Sequence, residues 1–305
     1  MGKIAFLFAG QGAQYPGMGK TLAEESSAAK QVFTKADSVR PGTSVQCFTG
    51  SPEELAQTCN TQPCIFCVDM AAACALAEQG VKCDAVAGFS LGEIAALTFA
   101  DMLSLEEGFK LVCRRAELMH SAGKDVKSIM AAVLKLSNST VEELASKYEH
   151  IYPVNYNCPG QLVVSGAPEE MESFKADVKS SGGRYLQLPV SGGFHSPFMD
   201  GAAAEFAKEL SKYSFKTSRI DIYSNYTSKK YGANVQELLT NQIKSPVKWQ
   251  NLIENMIADG VDTFIECGPG HTLSGFVAKI NGNVRVFNVE NSQDAAKVAE
   301  EITHA

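Results

Sequence analysis

With 305 residues, 45% of them hydrophobic and 20% charged, the chain has an ordinary soluble globular composition and is long enough for one domain with an insertion, or for two. Its net charge of −7 excludes nucleic acid as the main partner and restricts attraction for any acidic protein to a local basic patch. Nine cysteines without a disulfide framework, behind an apolar start too short for a signal peptide, point to a reducing cytoplasm, and no apolar run approaches the roughly 20 residues a membrane helix needs.

In chain order, Ile4–Phe8 reads as a strand, followed by the glycine-rich loop Gly10 to Thr21. Gly19-Lys20-Thr21 imitates the end of a phosphate-binding loop, but Gln14 stands where that motif needs glycine, and Tyr15 stands where a dinucleotide fingerprint needs one. What remains is a tight loop at a strand's carboxyl end, able to present a backbone N–H to an oxyanion. Helices are expected over Leu22–Ala36 and Pro63–Glu78. Cys64-Ile65-Phe66-Cys67 lies in a helical run and lacks the partners of a zinc or redox site, so its cysteines read as small apolar residues and no metal or cofactor is expected. A strand over Ala85–Gly88 and helices over Leu91–Ala100 and Leu105–Ser121 complete an alternation that implies a mostly parallel sheet covered on both faces.

After Ala122-Gly123-Lys124-Asp125 the rhythm changes. Strands over 128–136, 151–156, 161–165 and 184–189, with helices over 139–149 and 168–180, give β-α-β-β-α-β, the ferredoxin-like order. Residues 126–190 are therefore expected to form an inserted small subdomain, and 1–125 with 191–305 the catalytic domain. The larger pattern resumes with helices over 197–212, 235–243, 246–258 and 272–280 and strands over 221–224, 263–266 and 284–288.

Gly88-Phe89-Ser90-Leu91-Gly92 stands between a strand and a helix, the setting of a nucleophile elbow, in which the serine oxygen is lifted from the sheet and faces helix N-terminal amides. An ordinary glycine-rich βα turn has the same pattern. A serine nucleophile needs a base. Of five histidines, His304 sits in the tail, His150 and His120 follow or end helices, and His271 opens one. His195 lies where the inserted segment returns the chain, so it is the better base and His271 the reserve. An ordinary imidazole would lose activity below roughly pH 6–7. No aspartate offers itself as a third triad member.

In the helix over 105–121, Leu105, Phe109, Val112, Ala116 and Met119 define the buried face, and Arg115 lies along it. A guanidinium turned inward requires an anion. That anion is either an internal carboxylate or a substrate carboxylate gripped bidentately.

Taken together, the segments resemble malonyl-CoA:acyl carrier protein transacylases and the acyltransferase domains of fatty acid and polyketide synthases. The motifs are Gly10-Gln11-Gly12-Ala13-Gln14, Thr61-Gln62-Pro63, Gly88 to Glu93, Arg115 with Met119, Asn155-Tyr156-Asn157-Cys158-Pro159-Gly160-Gln161, Phe194-His195-Ser196, Gln242 with Pro246-Val247-Lys248-Trp249, and Glu266 to Gly270. They follow the family's order over nearly the whole chain. The resemblance implies an α/β-hydrolase-like large domain with a ferredoxin-like insertion, and ping-pong transfer of malonyl from malonyl-CoA to acyl carrier protein by a cytoplasmic monomer. It implies that Ser90 is acylated, that His195 is the base oriented by the Gln242 carbonyl, and that the amides of Gln11 and Leu91 form the oxyanion hole. Arg115 would bind the malonyl carboxylate, with Gln62, Asn155, Asn157, Phe89 and Phe194 as further substrate contacts. Two departures stand out: Phe89 where the family usually has histidine, and Ala116 where it has glycine. The rival readings are an acyltransferase of polyketide synthesis using another extender unit, a serine thioesterase on the same scaffold, and a nucleotide-binding protein.

Overall fold

The computed structural model describes residues 2–190 and 192–303. Ser191, the first residue of the expected return to the large domain, and His304 lie outside them. The chain runs β1 (Lys3–Phe8), α1 (Lys20–Glu25), α2 (Ser27–Val39), α3 (Thr43–Thr49), α4 (Pro52–Leu55), α5 (Thr58–Glu78), β2 (Ala85–Gly88), α6 (Gly92–Phe99) and α7 (Leu105–Asp125). A second group follows: β3 (Ile129–Leu134), α8 (Asn138–Ala145), β4 (Ile151–Cys158), β5 (Gln161–Gly166), α9 (Pro168–Ser180) and β6 (Arg184–Gln187). The last group is α10 (Asp200–Leu210), β7 (Asp221–Tyr223), α11 (Val235–Lys244), α12 (Trp249–Ala258), β8 (Val261–Cys267), α13 (Thr272–Ile280), β9 (Arg285–Val289) and α14 (Ser292–Thr303).

The first and last groups share one sheet, ordered β7-β2-β1-β8-β9 with every pair parallel. Strand β1 is its centre, and its side chains alternate between two cores. Ile4, Phe6 and Phe8 pack with α2, α5, α6 and α7, whereas Ala5 and Leu7 pack with Trp249, Leu252, Leu273 and Val277 of α12 and α13. Cover on both faces explains why the strand is apolar throughout.

The middle group forms an antiparallel sheet ordered β4-β5-β3-β6, with α8 and α9 on one face. Its topology is the ferredoxin-like one read from the sequence. Ala132 and Val163, on its other face, join the large core. A seam stitches the two sheets together near the site: Val247 N donates to Val154 O at 2.8 Å and Tyr156 N to Val247 O at 3.0 Å.

Several boundaries differ from expectation. The helix expected over 22–36 is two, because Ser26 is extended and its side chain accepts from Ala29 N to cap α2. Helix α5 starts five residues before Pro63, not at it. The missing N–H near the helix start forfeits one bond in an element buried almost throughout, so burial outweighs it. At 21 residues α5 is also long and apolar enough to span a membrane by length and composition, which was not anticipated, yet 83% of its most apolar window is buried within the protein. Helix α7 runs on to Asp125, so His120 lies inside it and does not end it. Helices α3, α4 and α14 were not expected; α14 buries Ala295, Val298, Ala299 and Ile302 on one stripe.

Candidate active site

Strand β2 enters α6 through Phe89-Ser90-Leu91. Ser90 has φ 56°, a left-handed conformation that a non-glycine residue adopts only when its surroundings enforce it. The turn closes this tightly because its glycines lack Cβ. A Cβ on Gly88 would lie 1.9 Å from the Gly92 carbonyl carbon, and one on Gly92 2.3 Å from the Phe8 carbonyl oxygen. An ordinary βα turn needs neither constraint, so the segment has the geometry of a nucleophile elbow.

Ser90 Oγ lies 2.8 Å from His195 Nε2, and His195 Nδ1 lies 2.8 Å from the carbonyl oxygen of Gln242. A carbonyl only accepts, so Nδ1 carries the hydrogen and Nε2 is free to accept from the serine hydroxyl. His195 is also left-handed, with φ 61°, and its N–H donates to Ile243 O at 3.1 Å. Burial, reinforced by the nearby Arg115 charge, pushes the imidazole down to about 3. The ordinary acid limb expected from the sequence is therefore corrected: this ring is neutral far below pH 6. The other histidines stand apart. His271 is exposed at the start of α13, and His150 is exposed beside Glu170. Ring Nδ1 of His120 has no partner within α7.

Arg115 projects from the apolar stripe of α7 into the same site and is 1% exposed. It makes no carboxylate ion pair among the described residues. Nη1 donates to Gln62 Oε1 at 2.8 Å, and Nη2 to Gln242 Oε1 at 2.9 Å and to Ser90 Oγ at 3.1 Å. Burial lowers its pKa to about 10, against the opposing influence of Glu93, so it stays cationic at neutral pH. Of the two anions open from the sequence, the internal one is not in contact. Gln62 is itself held with its Nε2 toward Met119 Sδ at 3.5 Å.

A second layer holds the nucleophile's backbone. Asn225 accepts from Ser90 N at 2.7 Å and donates to Gly88 O at 2.7 Å. Gln242 Nε2 donates to Ser90 O at 2.6 Å and to Glu93 Oε2 at 2.9 Å. Glu93 is completely buried and also accepts from Asn225 N at 3.2 Å and from the Tyr231 hydroxyl. Burial raises its carboxyl to about 7 despite these donors. The sequence reading missed Asn225 and Tyr231 and gave Glu93 no part in the site.

The backbone amides of Gln11 and Leu91 find no acceptor among the described residues, and Leu91 heads α6, whose N-terminal dipole favours negative charge. Beside them a cleft of about 190 Å³ opens between the sheets. Gln11, Phe89 and Phe276 line one wall, and Asn155, Asn157 and Gln161 the other. Oδ1 of Asn155 and Oδ1 of Asn157 are buried without partners among the described residues. Phe89 packs against Trp249 and Phe276, with ring centroids 5.4 and 6.4 Å away. Phe194, directly before His195, is buried in the large core beside Gly192.

A strained serine against an imidazole steadied by a carbonyl defines a serine-dependent acyl-transfer fold when it is set on such a sheet with such an insert. Residues 5–296 match the acyl transferase domain, and the chain belongs to that family. Its relatives carry a narrower name. The chain is 37% identical over 301 residues to a malonyl CoA-acyl carrier protein transacylase of Bacillus subtilis (strain 168), covering 96% of this chain and 95% of that one. In structure it is similar to the malonyl CoA-acyl carrier protein transacylase from Clostridium perfringens (TM-score 0.95, 40% identity, 99% and 98% of the chains covered). It also resembles a malonyl-transacylase in complex with its type II PKS acyl-carrier protein, with TM-score 0.94, 28% identity, and 98% and 99% coverage.

Proposed function

We infer that this protein transfers the malonyl group of malonyl-CoA to the phosphopantetheine thiol of an acyl carrier protein through an ester on Ser90, supplying extender units for fatty acid synthesis. The observation that carries this reading is Arg115, a buried guanidinium within 3.1 Å of the serine oxygen and met only by neutral oxygens. A thioesterase has no need of such a cation. A 3-carbon dicarboxylic acyl group does: its thioester carbonyl meets Ser90 while its free carboxylate reaches the guanidinium. Charge-assisted hydrogen bonds of roughly 1.5–3 kcal/mol then favour malonyl over acetyl.

In the first half-reaction Ser90 gives its proton to His195 Nε2 as Oγ attacks the thioester carbonyl. The oxyanion forms against the amides of Gln11 and Leu91, where one missing donor typically costs about 10²–10³ in rate. Collapse breaks the C–S bond, and the imidazolium returns the proton to the departing CoA thiolate. The second half-reaction reverses these roles: the carrier thiol gives its proton to His195, attacks the ester and releases Ser90. Gln242 steadies the ring through its carbonyl. Arg115 and Gln62 fix the acyl chain so that water is poorly placed to hydrolyse the ester.

Phe89 narrows the cleft, and Asn155 and Asn157 offer their free Oδ1 atoms to the amide N–H groups of the pantetheine arm. Phe194, the residue before the base, borders the acyl group as a further substrate contact. Residues 126–190 serve as the small subdomain and the remainder as the catalytic domain. Nine free cysteines suit a reducing cytoplasm.

Intact mass after incubation with malonyl-CoA tests the reading. A malonyl adduct is expected that passes to holo acyl carrier protein, and Ser90→Ala is expected to lose it, with turnover down on the order of 10⁴-fold or more. Free malonate without an adduct, or an adduct retained in Ser90→Ala, would refute it.

A further inference from the structure

One carboxylate is built into the site without touching the acyl chain. Glu93 lies three residues after Ser90 in the first turn of α6, fully buried, with no cation in contact among the described residues. Its three donors are the Tyr231 hydroxyl, the Asn225 amide and the Gln242 side-chain amide. Only the last leads to a charge. The Gln242 side chain lies between two ionisable groups, its Nε2 toward Glu93 at 2.9 Å and its Oε1 toward Arg115 Nη2 at 2.9 Å.

A carboxylate can only accept and a guanidinium can only donate, so the pair dictates which end of the amide faces which ion. The spacer also decides what Arg115 feels. Direct contact between Glu93 and Arg115 would give a buried ion pair that a substrate carboxylate would have to break. At one amide's remove, Glu93 still supports the buried positive charge while the guanidinium meets only neutral oxygens. The residue that supplies this spacer also holds His195 through its backbone carbonyl.

We propose that Glu93 is a positioning residue for acyl selectivity: through the Gln242 amide it keeps Arg115 charged yet without a direct anionic partner, so that the free carboxylate of the incoming acyl group fills that place. The proposal rests on the carboxylate-binding role of Arg115 given above. It distinguishes Glu93 from a residue that merely helps the elbow fold, because loss of folding support slows every acyl donor alike.

The test is acylation of the full chain by malonyl-CoA and by acetyl-CoA, followed by rapid quench and intact mass, in wild type, Arg115→Ala, Glu93→Gln and Tyr231→Phe. Arg115→Ala is the control for the underlying reading: malonyl acylation collapses while acetyl acylation survives or rises. Glu93→Gln keeps the shape and removes the charge. Its malonyl-to-acetyl ratio of kcat/KM is expected to fall about tenfold or more, the worth of a charged hydrogen bond, with the loss appearing mainly in KM for malonyl-CoA. Tyr231→Phe removes one donor to Glu93 and is expected to lower the ratio a few-fold. If Arg115→Ala loses selectivity but Glu93→Gln slows both donors equally, or changes neither, the role of Glu93 is refuted. If Arg115→Ala itself keeps its selectivity, the carboxylate clamp is wrong and the role of Glu93 falls with it. Should Glu93→Gln fail to fold, an unchanged ratio in Tyr231→Phe overturns the proposal and a lowered one supports it.

Discussion

Beside the cleft, on the side of the large sheet, Ser90, His195, Gln242, Asn225 and Glu93 meet one another in a closed set of hydrogen bonds. On the facing wall, Asn155 and Asn157 each bury an oxygen that meets no partner among the described residues. An unsatisfied buried acceptor costs about 1–3 kcal/mol, so the second wall is held in a less stable arrangement than the first. The difference suits the two kinds of work proposed for them. Charge developing in the transition state is best met by dipoles already fixed in place. A long, flexible substrate arm is better met by groups whose hydrogen bonds are completed only when it enters. The first side spends its side-chain polar groups on itself and leaves the Gln11 and Leu91 amides open, whereas the second keeps side-chain oxygens in reserve.

Substitution on the two walls should therefore differ in kind. The largest effect is expected for Gly92→Ala. The new Cβ would fall 2.3 Å from the Phe8 carbonyl oxygen, so either the elbow or β1 must shift. A loss of about 3 kcal/mol or more is expected, visible as a melting temperature several degrees lower, together with failure to form the acyl-enzyme. A variant that melts and acylates like the parent would show that the wall is less rigid than its contacts imply. Asn157→Ala should do the reverse. With the unpartnered oxygen gone, the melting temperature should hold or rise, while KM for malonyl-CoA and for the carrier protein increases about tenfold with kcat little changed. A fall in stability with KM unchanged would erase the contrast between the walls.

The smallest effect expected is that of acid on the base. With its pKa depressed to about 3, His195 is already unprotonated at pH 5. Between pH 7 and 5, kcat/KM for acylation should lose less than about threefold on its account, with any contribution of Glu93 separated by repeating the profile in Glu93→Gln. An imidazole of ordinary pKa would cost roughly thirtyfold over that range. Once the malonyl carboxylate offsets the Arg115 charge, one of the two influences depressing the ring is weakened. The acid limb of kcat should then lie at higher pH than that of kcat/KM.

The elbow was legible because its signal is local: a strand, two glycines and a helix within ten residues. Arg115 was legible because the 3-and-4 spacing of α7 places it on a buried stripe whatever packs there. The ferredoxin-like order survived errors of a few residues at element ends because it depends on sequence of elements and not on their limits. The hidden parts were those that depend on distance. Asn225 meets Ser90 across 135 residues, and nothing near Asn225 in the chain announces it. The Gln242 carbonyl is a backbone atom, which every residue has, so only resemblance to a family could single it out. The depressed pKa of His195 follows from burial and a neighbouring charge, neither of which is written in Phe194-His195-Ser196. Helix α14 had a readable apolar stripe, whereas α3 and α4 are too short for periodicity to declare itself.

The seam at Val247 couples two events that are usually considered apart. Val247, whose backbone pairing anchors β4, the strand presenting Asn155 and Asn157, is the fifth residue after Gln242, whose carbonyl steadies the imidazole. That stretch is a short tether with little slack. The placing of the smaller sheet, and of the two asparagines it carries, is therefore tied through this stretch to the carbonyl that steadies the ring. One segment of chain thus sets both the seat of β4 and the hold on the base.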